Sequence, residues 1–281
     1  MKRPVVLTIA GSDPSGGAGI QADLKTITAF GCYGMSVITA VTVQNTMGVT
    51  GVEAMSPDLV AAQLDAVFSD IRPDAVKIGM AVCRETIEVL IEKLTEYRAE
   101  HIVLDPVMIS TSGRRLLSED AVDTLIHGLL PLAGLSTPNL PECEALTGQP
   151  IRSREDMILA SLMLHRQTKQ PVLLKGGHMT FSPQDSPEGS FREAAPVDCS
   201  DLLRTPDGVR WYRAPLIQTT NSHGTGCTLS SAIASCLAGG LSLPDAVAEA
   251  KTYLSGALAA GLDLGKGNGP LDHCFRIKPL S

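Results

Sequence analysis

Residues 5–26 read "VVLTIAGSDPSGGAGIQADLKT", and the fold class follows from this stretch. Residues 5–10 form a short, continuous apolar run with β-branched members, the pattern of a strand buried on both faces. Residues 11–19, Gly-Ser-Asp-Pro-Ser-Gly-Gly-Ala-Gly, interrupt it, and a helical pattern starts near Ile20 and carries Asp23 and Lys25. A buried strand that passes through a glycine-rich turn into a helix is the repeating unit of a parallel sheet.

The same alternation continues along the chain. Further strands are expected at residues 35–43, 75–79, 101–105, 135–137 and 171–175. Ser56-Pro57-Asp58 offers an N-cap serine, a proline for the first turn and an acid for the helix dipole. Ser153 with Asp156 fits a capping box. Ser118-Glu119-Asp120 starts another helix, and Cys227 starts one that runs to about Leu237. Residues 202–217, "LLRTPDGVRWYRAPLI", place Pro-Asp-Gly between alternating segments, a β-hairpin signal. Residues 180–190, "TFSPQDSPEGS", are polar and rich in Pro, Ser and Gly, the composition of a mobile flap. With no internal repeat and no linker, residues 1–281 are expected to form a single α/β domain: a central, mostly parallel sheet with helices on both faces.

Composition narrows the function. The 281 residues are 44% hydrophobic but only 4% aromatic, which suits helices packed on a parallel sheet. A net charge of −7 without a basic stripe argues against a nucleic-acid partner. The seven cysteines, at 32, 83, 143, 199, 227, 236 and 274, have irregular spacing and no CxxC, as expected of reduced thiols in a cytoplasmic protein. The start, "MKRPVVLTIAGSD", imitates a signal peptide, but its apolar run is too short and reads as the first buried strand. No window is long and apolar enough for a membrane span.

In open α/β sheets ligands sit beyond the carboxyl ends of the strands, so the residues that follow each strand carry the functional signal. The Gly11 loop is either a flexible connection or a close approach of backbone to ligand. Gln44-Asn45-Thr46 either caps a turn or presents a donor and an acceptor together, which suits an aminopyrimidine edge. Lys77-Ile-Gly-Met80 and Asp105-Pro-Val-Met108 end two further strands. Asp105, Asn139 and Glu142 together could hold Mg²⁺, directly or through waters. Lys175-Gly-Gly-His178 places a lysine at a strand end, an ordinary exposed residue or a phosphate clamp. Residues 219–234, "TTNSHGTGCTLSSAIA", run a Gly224-Thr225-Gly226-Cys227 turn into a small-residue helix whose first amides favour an anion. His223 is expected to orient that turn; His101, His127, His165 and His273 read as structural or solvated. The set matches phosphoryl transfer from a magnesium nucleotide.

These motifs, "LTIAGSDPSGGAGIQADLKT", "VQNT", "KIGM", "LDPVM", "TPNLPE", "LLKGGH" and "HGTGCTLSSAIA", resemble in order and spacing the bacterial hydroxymethylpyrimidine/phosphomethylpyrimidine kinases of thiamin biosynthesis, in the ribokinase-like superfamily. The resemblance covers nearly the whole chain and is weakest over 180–212. It implies a ribokinase-like three-layer fold and two successive ATP-dependent phosphorylations, first of 4-amino-5-hydroxymethyl-2-methylpyrimidine and then of its monophosphate. It also implies that Gln44 reads the pyrimidine with Asp23 and Gly11 nearby, and that Met80 and Val107 line the pocket. The anion hole is then Gly224–Cys227, Lys175, Asn139 and Thr225 serve the ATP phosphates, and Glu142, Asp105 and Asn139 serve Mg²⁺. A homodimer is the oligomer the family suggests. The segment 180–207 is longer than the family pattern.

The nearest alternative is a pyridoxal kinase of the same superfamily, which shares the glycine loop; Gln44 followed by Asn-Thr favours the aminopyrimidine. A non-catalytic pyrimidine sensor would lack the lysine, the acids or the anion turn, and all are present. Cys227 is unusual, because a carboxylate base is the ordinary occupant of such a position in a phosphotransferase. A thiol at a helix start can have a lowered pKa, and the expectation is that Cys227 lends base character to the first phosphorylation without repelling the anionic second acceptor.

Overall fold

The computed structural model describes residues 3–109, 116–118, 120–177 and 198–277. The expected flap at 180–190 and His178 lie outside the described residues. The strands are β1 (Val5–Ser12), β2 (Tyr33–Asn45), β3 (Gly48–Ala54), β4 (Ala75–Ile78), β5 (Ile102–Leu104), β6 (Leu135–Ser136), β7 (Val172–Leu174), β8 (Asp198–Thr205) and β9 (Gly208–Pro215). They form one sheet in the order β3-β2-β1-β4-β5-β6-β7-β8-β9. Strands β2, β1, β4, β5, β6 and β7 run parallel, with antiparallel β3 on one side and the β8–β9 hairpin on the other.

The continuous apolar runs split by strand periodicity into two cores. Leu7, Ile9, Val76, Ile78, Ile102 and Leu104 face α2 (Pro57–Asp70), α3 (Arg84–Glu96) and α6 (Arg154–Thr168). Their neighbours Val6, Ala75, Val103, Leu135 and Leu173 pack with α1 (Gly19–Ala29), α7 (Thr225–Ala238) and α8 (Leu243–Ala260) on the other face. The three expected layers are present.

Helix starts follow the sequence with two adjustments. Ser56 accepts from Leu59 N–H at 3.3 Å, with Pro57 in the first turn. Ser153 accepts from Asp156 N–H at 3.1 Å, and the Asp156 carboxylate, held below the usual carboxylate range, takes the Arg152 N–H at 2.9 Å and a weaker share of the Ser153 N–H. The helix expected from Ser118 begins at α4 (Ala121–Thr124) and passes directly into a π turn, Leu125–Leu129. The remaining helix, α5 (Leu140–Thr147), starts at the end of β6. Strand β2 is longer than expected because it pairs with β3, whose sequence "GVTGVEA" carries two glycines and no regular alternation. The β8–β9 hairpin turns at Pro206-Asp207, with Thr205 opposite Gly208.

After α8 the chain returns to the carboxyl ends of the strands. Lys266 and Gly267 N–H donate to Thr46 Oγ1, Asn268 N–H donates to the Thr46 carbonyl, and His223 N–H donates to the Gly269 carbonyl. This segment ties the β2–β3 turn to the loop before α7.

Candidate active site

A cleft of about 690 Å³ opens at the carboxyl ends of the parallel strands. Gly11, Gln44, Met80, Val107, Lys175 and the Gly224–Cys227 turn all line it, which brings together most of the residues singled out from the sequence.

The anion turn is built by glycine. Gly224 is the residue before α7, with φ 85° and no side-chain cap over the helix start. A Cβ there would stand 1.8 Å from the Gly17 carbonyl oxygen, so the two glycine-rich loops touch backbone to backbone. The first intrahelical bond is Thr228 N–H to Gly224 C=O, so the preceding amides of Thr225, Gly226 and Cys227 have no partner within the helix, and all three residues line the cleft. Gly226 is placed by proximity, since a Cβ on it would lie 3.0 Å from Asp105 Oδ2 and 3.4 Å from Lys175 Nζ.

Opposite this turn, Lys175 Nζ donates to Asp105 Oδ1 at 2.7 Å, and Thr137 donates to the same oxygen at 3.1 Å. Burial pulls the Lys175 ammonium down, but Asp105 and Glu142 outweigh it and its pKa is raised. Behind Lys175, Asp201 accepts from Gly176 N–H at 3.0 Å and pairs with Lys251 of α8.

Asn139 and Glu142 are partners of each other. Asn139 caps α5 by accepting from Glu142 N–H at 2.8 Å, and Glu142 accepts from Asn139 N–H at 2.7 Å. Burial pushes the Glu142 carboxyl up to about 7; Lys175 opposes the rise and Asp105 adds to it. Among the described residues no three His, Cys, Asp or Glu side chains converge on one metal position. What the arrangement offers Mg²⁺ is two carboxylates, Asp105 and Glu142, that both interact with one ammonium. That donor set fits an ion completed by substrate phosphates and water, with Asn139 orienting Glu142 rather than lending a free oxygen.

At the other end of the cleft, Gln44 Oε1 lies 3.0 Å from the Thr42 hydroxyl and Nε2 lies 3.2 Å from His223 Nε2. His223 Nε2 is 2.9 Å from Asp13 Oδ2. Asp13 also accepts from Ser15 and Ala18 N–H. Burial pushes its carboxyl up, but His223 and these donors more than reverse this and hold it at about 2. The Thr42 hydroxyl lies 3.0 Å from the Ser12 carbonyl as well, and its one proton cannot serve both oxygens. Turning the Gln44 amide over satisfies every group: its NH₂ donates to Thr42, and its oxygen faces the His223 N–H shared with Asp13. Either way the amide is fixed by neighbours and keeps one donor and one acceptor position for a ligand.

Two expectations change. Asp23, expected near the substrate, is fully buried beneath the cleft and absent from its wall. Cys227 does line the cleft, and its thiol accepts a backbone hydrogen bond from Gly19, yet burial pushes it up to about 11 against the opposing pull of Lys77. The helix start does not lower it, and at neutral pH the group is a thiol.

The sequence reading assigned no role to Asp13, Lys77, Asp201 or Lys251. A signal existed for Asp13, because an aspartate two residues before a serine amide in a glycine-rich loop commonly folds back on its own backbone.

A sequence model of the family described as phosphomethylpyrimidine kinase matches residues 13–272. Over 276 residues the chain is 48% identical to the hydroxymethylpyrimidine/phosphomethylpyrimidine kinase of Escherichia coli, spanning 97% of this chain and 98% of that one. It is 49% identical, over 99% of its length, to the thiamine biosynthesis bifunctional protein ThiED of Geobacter sulfurreducens, and it spans 54%, about half, of that longer protein. Among solved structures, phosphomethylpyrimidine kinase from Clostridium difficile matches with a TM-score of 0.75 at 43% identity, covering 90% of this chain and 98% of that one. Pyridoxal kinase from Staphylococcus aureus in complex with AMP-PCP matches with a TM-score of 0.85 at 33% identity, covering 97% and 94%.

Proposed function

The chain belongs to the phosphomethylpyrimidine kinase family, and from that premise we propose that this one cleft carries out both of its phosphoryl transfers. It is an ATP-dependent kinase of thiamine biosynthesis with the ribokinase-like fold, acting on hydroxymethylpyrimidine and phosphomethylpyrimidine. One observation carries the reading of the site. The open start of α7 lies between a fixed amide reader, Gln44 with His223 and Asp13, and a phosphate-seeking ammonium, Lys175.

In this reading the transferred phosphoryl group sits on the amides of Gly224–Cys227. Lys175 exchanges Asp105 for a nucleotide oxygen and follows the developing charge. Asp105 and Glu142 would hold Mg²⁺, which would supply positive charge to offset that of the phosphates. Gln44 orients the aminopyrimidine against Met80 and Val107. Two further properties belong to the proposal. The exposed row Val41, Val43 and Met47 on β2 and its turn supports a homodimer, and seven cysteines without a paired spacing support a reducing, cytoplasmic setting.

The test is ATP turnover with the pyrimidine alcohol, its monophosphate and pyridoxal side by side. Both pyrimidines are expected to be phosphorylated with a kcat/KM at least tenfold above that for pyridoxal, since an unpaired buried amide costs about 1–3 kcal/mol. Preference for pyridoxal would overturn the substrate assignment.

Cys227 gives a second expected result. Because the thiol is neutral at pH 7, Cys227→Ser should leave both phosphorylations within about threefold of wild type, the proton transfer in a loose transition state being a minor term. Cys227→Asp should retain the alcohol step but slow the second by about tenfold or more, because a fixed carboxylate repels the incoming phosphate dianion. Rates for the two acceptors, measured on the same preparations, decide it: equal losses in Cys227→Asp would remove charge repulsion as the reason for a thiol.

A further inference from the structure

Lys77 and Asp23 do not reach the cleft, yet they lie beneath its anion turn. Both side chains are 0% exposed, and Lys77 Nζ donates to both Asp23 oxygens, at 2.9 and 2.7 Å. Thr8 donates to Asp23 Oδ2 at 2.6 Å and Ser231 donates to Oδ1 at 2.7 Å. Four elements, β1, α1, β4 and α7, therefore meet at one carboxylate. As a stabilising device this is a poor choice, because apolar side chains of similar volume often serve as well as a buried ion pair. The core around it is apolar.

Its position supplies a reason. Ser231 is four residues after Cys227, on the same face of α7 and one turn below the thiol. A Cβ on Gly79 would stand 2.8 Å from Lys77 Nζ, so the ammonium reaches toward the carboxyl end of β4, the cleft end. The charged groups felt by the thiol include Lys77, Asp23 and Asp105, with the Lys175 ammonium of the cleft wall also interacting with it, and the pull of Lys77 exceeds the push of Asp23. The pair's positive end therefore faces the anion turn.

We propose that Lys77 is a positioning residue of the phosphoryl-transfer centre, its ammonium locked by Asp23, Thr8 and Ser231 so that a fixed positive charge underlies the group seated at the start of α7. The inference rests on the kinase reading of the cleft. A charge oriented in advance, in a water-free interior, favours a transition state in which negative charge gathers above it, without reorganisation.

The test is the neutral pair Lys77→Met with Asp23→Asn, in which the asparagine oxygen still accepts from one of the two hydroxyls, Thr8 or Ser231, and its NH₂ donates to the other. Folding is followed by thermal unfolding, kinetics by kcat and KM for both acceptors, and Cys227 by iodoacetamide alkylation at fixed pH with mass analysis of its peptide. The double variant is expected to fold and keep KM for the pyrimidine within twofold. It should lose about tenfold or more in kcat for both steps, and Cys227 should be alkylated more slowly. A folded double variant with wild-type kcat and alkylation would overturn the inference. Asp23→Asn alone keeps the ammonium and removes its counter-charge, so Cys227 should be alkylated faster; unchanged or slower alkylation overturns the inference even if the double variant does not fold. Alkylation needs no substrate, so failure of the wild type to phosphorylate pyrimidines would sink the kinase reading separately.

Discussion

Lys175→Ala lowers kcat for both phosphorylations by about 10²–10³-fold, the range for removing one preorganised donor from a transition state. The ammonium sits at the end of β7, 2.7 Å from Asp105 and 3.4 Å from where a Cβ on Gly226 would stand, beside the proposed phosphoryl site. Both steps draw on the same nucleotide phosphate, so the loss is common to them. The KM for the pyrimidine, which the proposal assigns to Gln44 on β2, stays near wild type. The substitution also leaves Asp105 and Glu142 facing each other without their cation, and Glu142, already pushed up to about 7, rises further. A carboxyl whose folded pKa lies above its unfolded one binds more protons folded than unfolded, so this group's contribution to stability falls as pH rises from about 4.5 through 7. The variant should therefore lose more stability at pH 8 than at pH 5. Steady-state kinetics with each acceptor and unfolding at the two pH values check this; a loss confined to one acceptor would misplace Lys175.

Gly224→Ala is expected to do comparable damage by a different route. The residue has φ 85°, and the added Cβ would overlap the Gly17 carbonyl oxygen at 1.8 Å, so the loops that define the anion turn must part. Backbone strain of about 1–3 kcal/mol combines with that displacement, and kcat should fall by more than about 100-fold as the amides leave their positions. Gly240 is the internal control: it has φ 86° with nothing within 4 Å of its Cβ position. Gly240→Ala carries the strain alone, about 1–3 kcal/mol, and leaves kcat unchanged. Similar kinetics for the two variants would show that the contact with Gly17 is unimportant.

The layers of the fold were legible because each strand run contributes alternate residues to two separate cores, Val6 to one and Leu7 to the other. Strand β3 was not, since an edge strand with two glycines and polar positions carries no core signal. The site was legible as a set of residues at strand ends and less so as a set of roles. Asn-x-x-Glu is the spacing of a capping box and of an oxygen pair for a metal, and the sequence does not separate them; here Asn139 and Glu142 form the box. Asp23 could have been placed from helical periodicity, because it shares the buried face of α1 with Ile20 and Ile27. The pKa of Cys227 was beyond reach, being set by burial that arises only when β1, β4 and α7 come together.

The contact between the Gly17 and Gly224 loops, laced further by the segment that returns past residue 266, has a consequence for biosynthesis. On the ribosome the first glycine loop emerges early, but its partner follows only after most of the chain. The hydrogen bonds to Thr46 and His223 wait for residues 266–269. A nascent chain carries β1, β2 and β4 long before it carries both glycine loops, so the proposed phosphate site cannot assemble until residues 224–227 have emerged. Pairings of such long sequence separation also slow the final step of folding, which makes completion of the active site and completion of the fold a single late event.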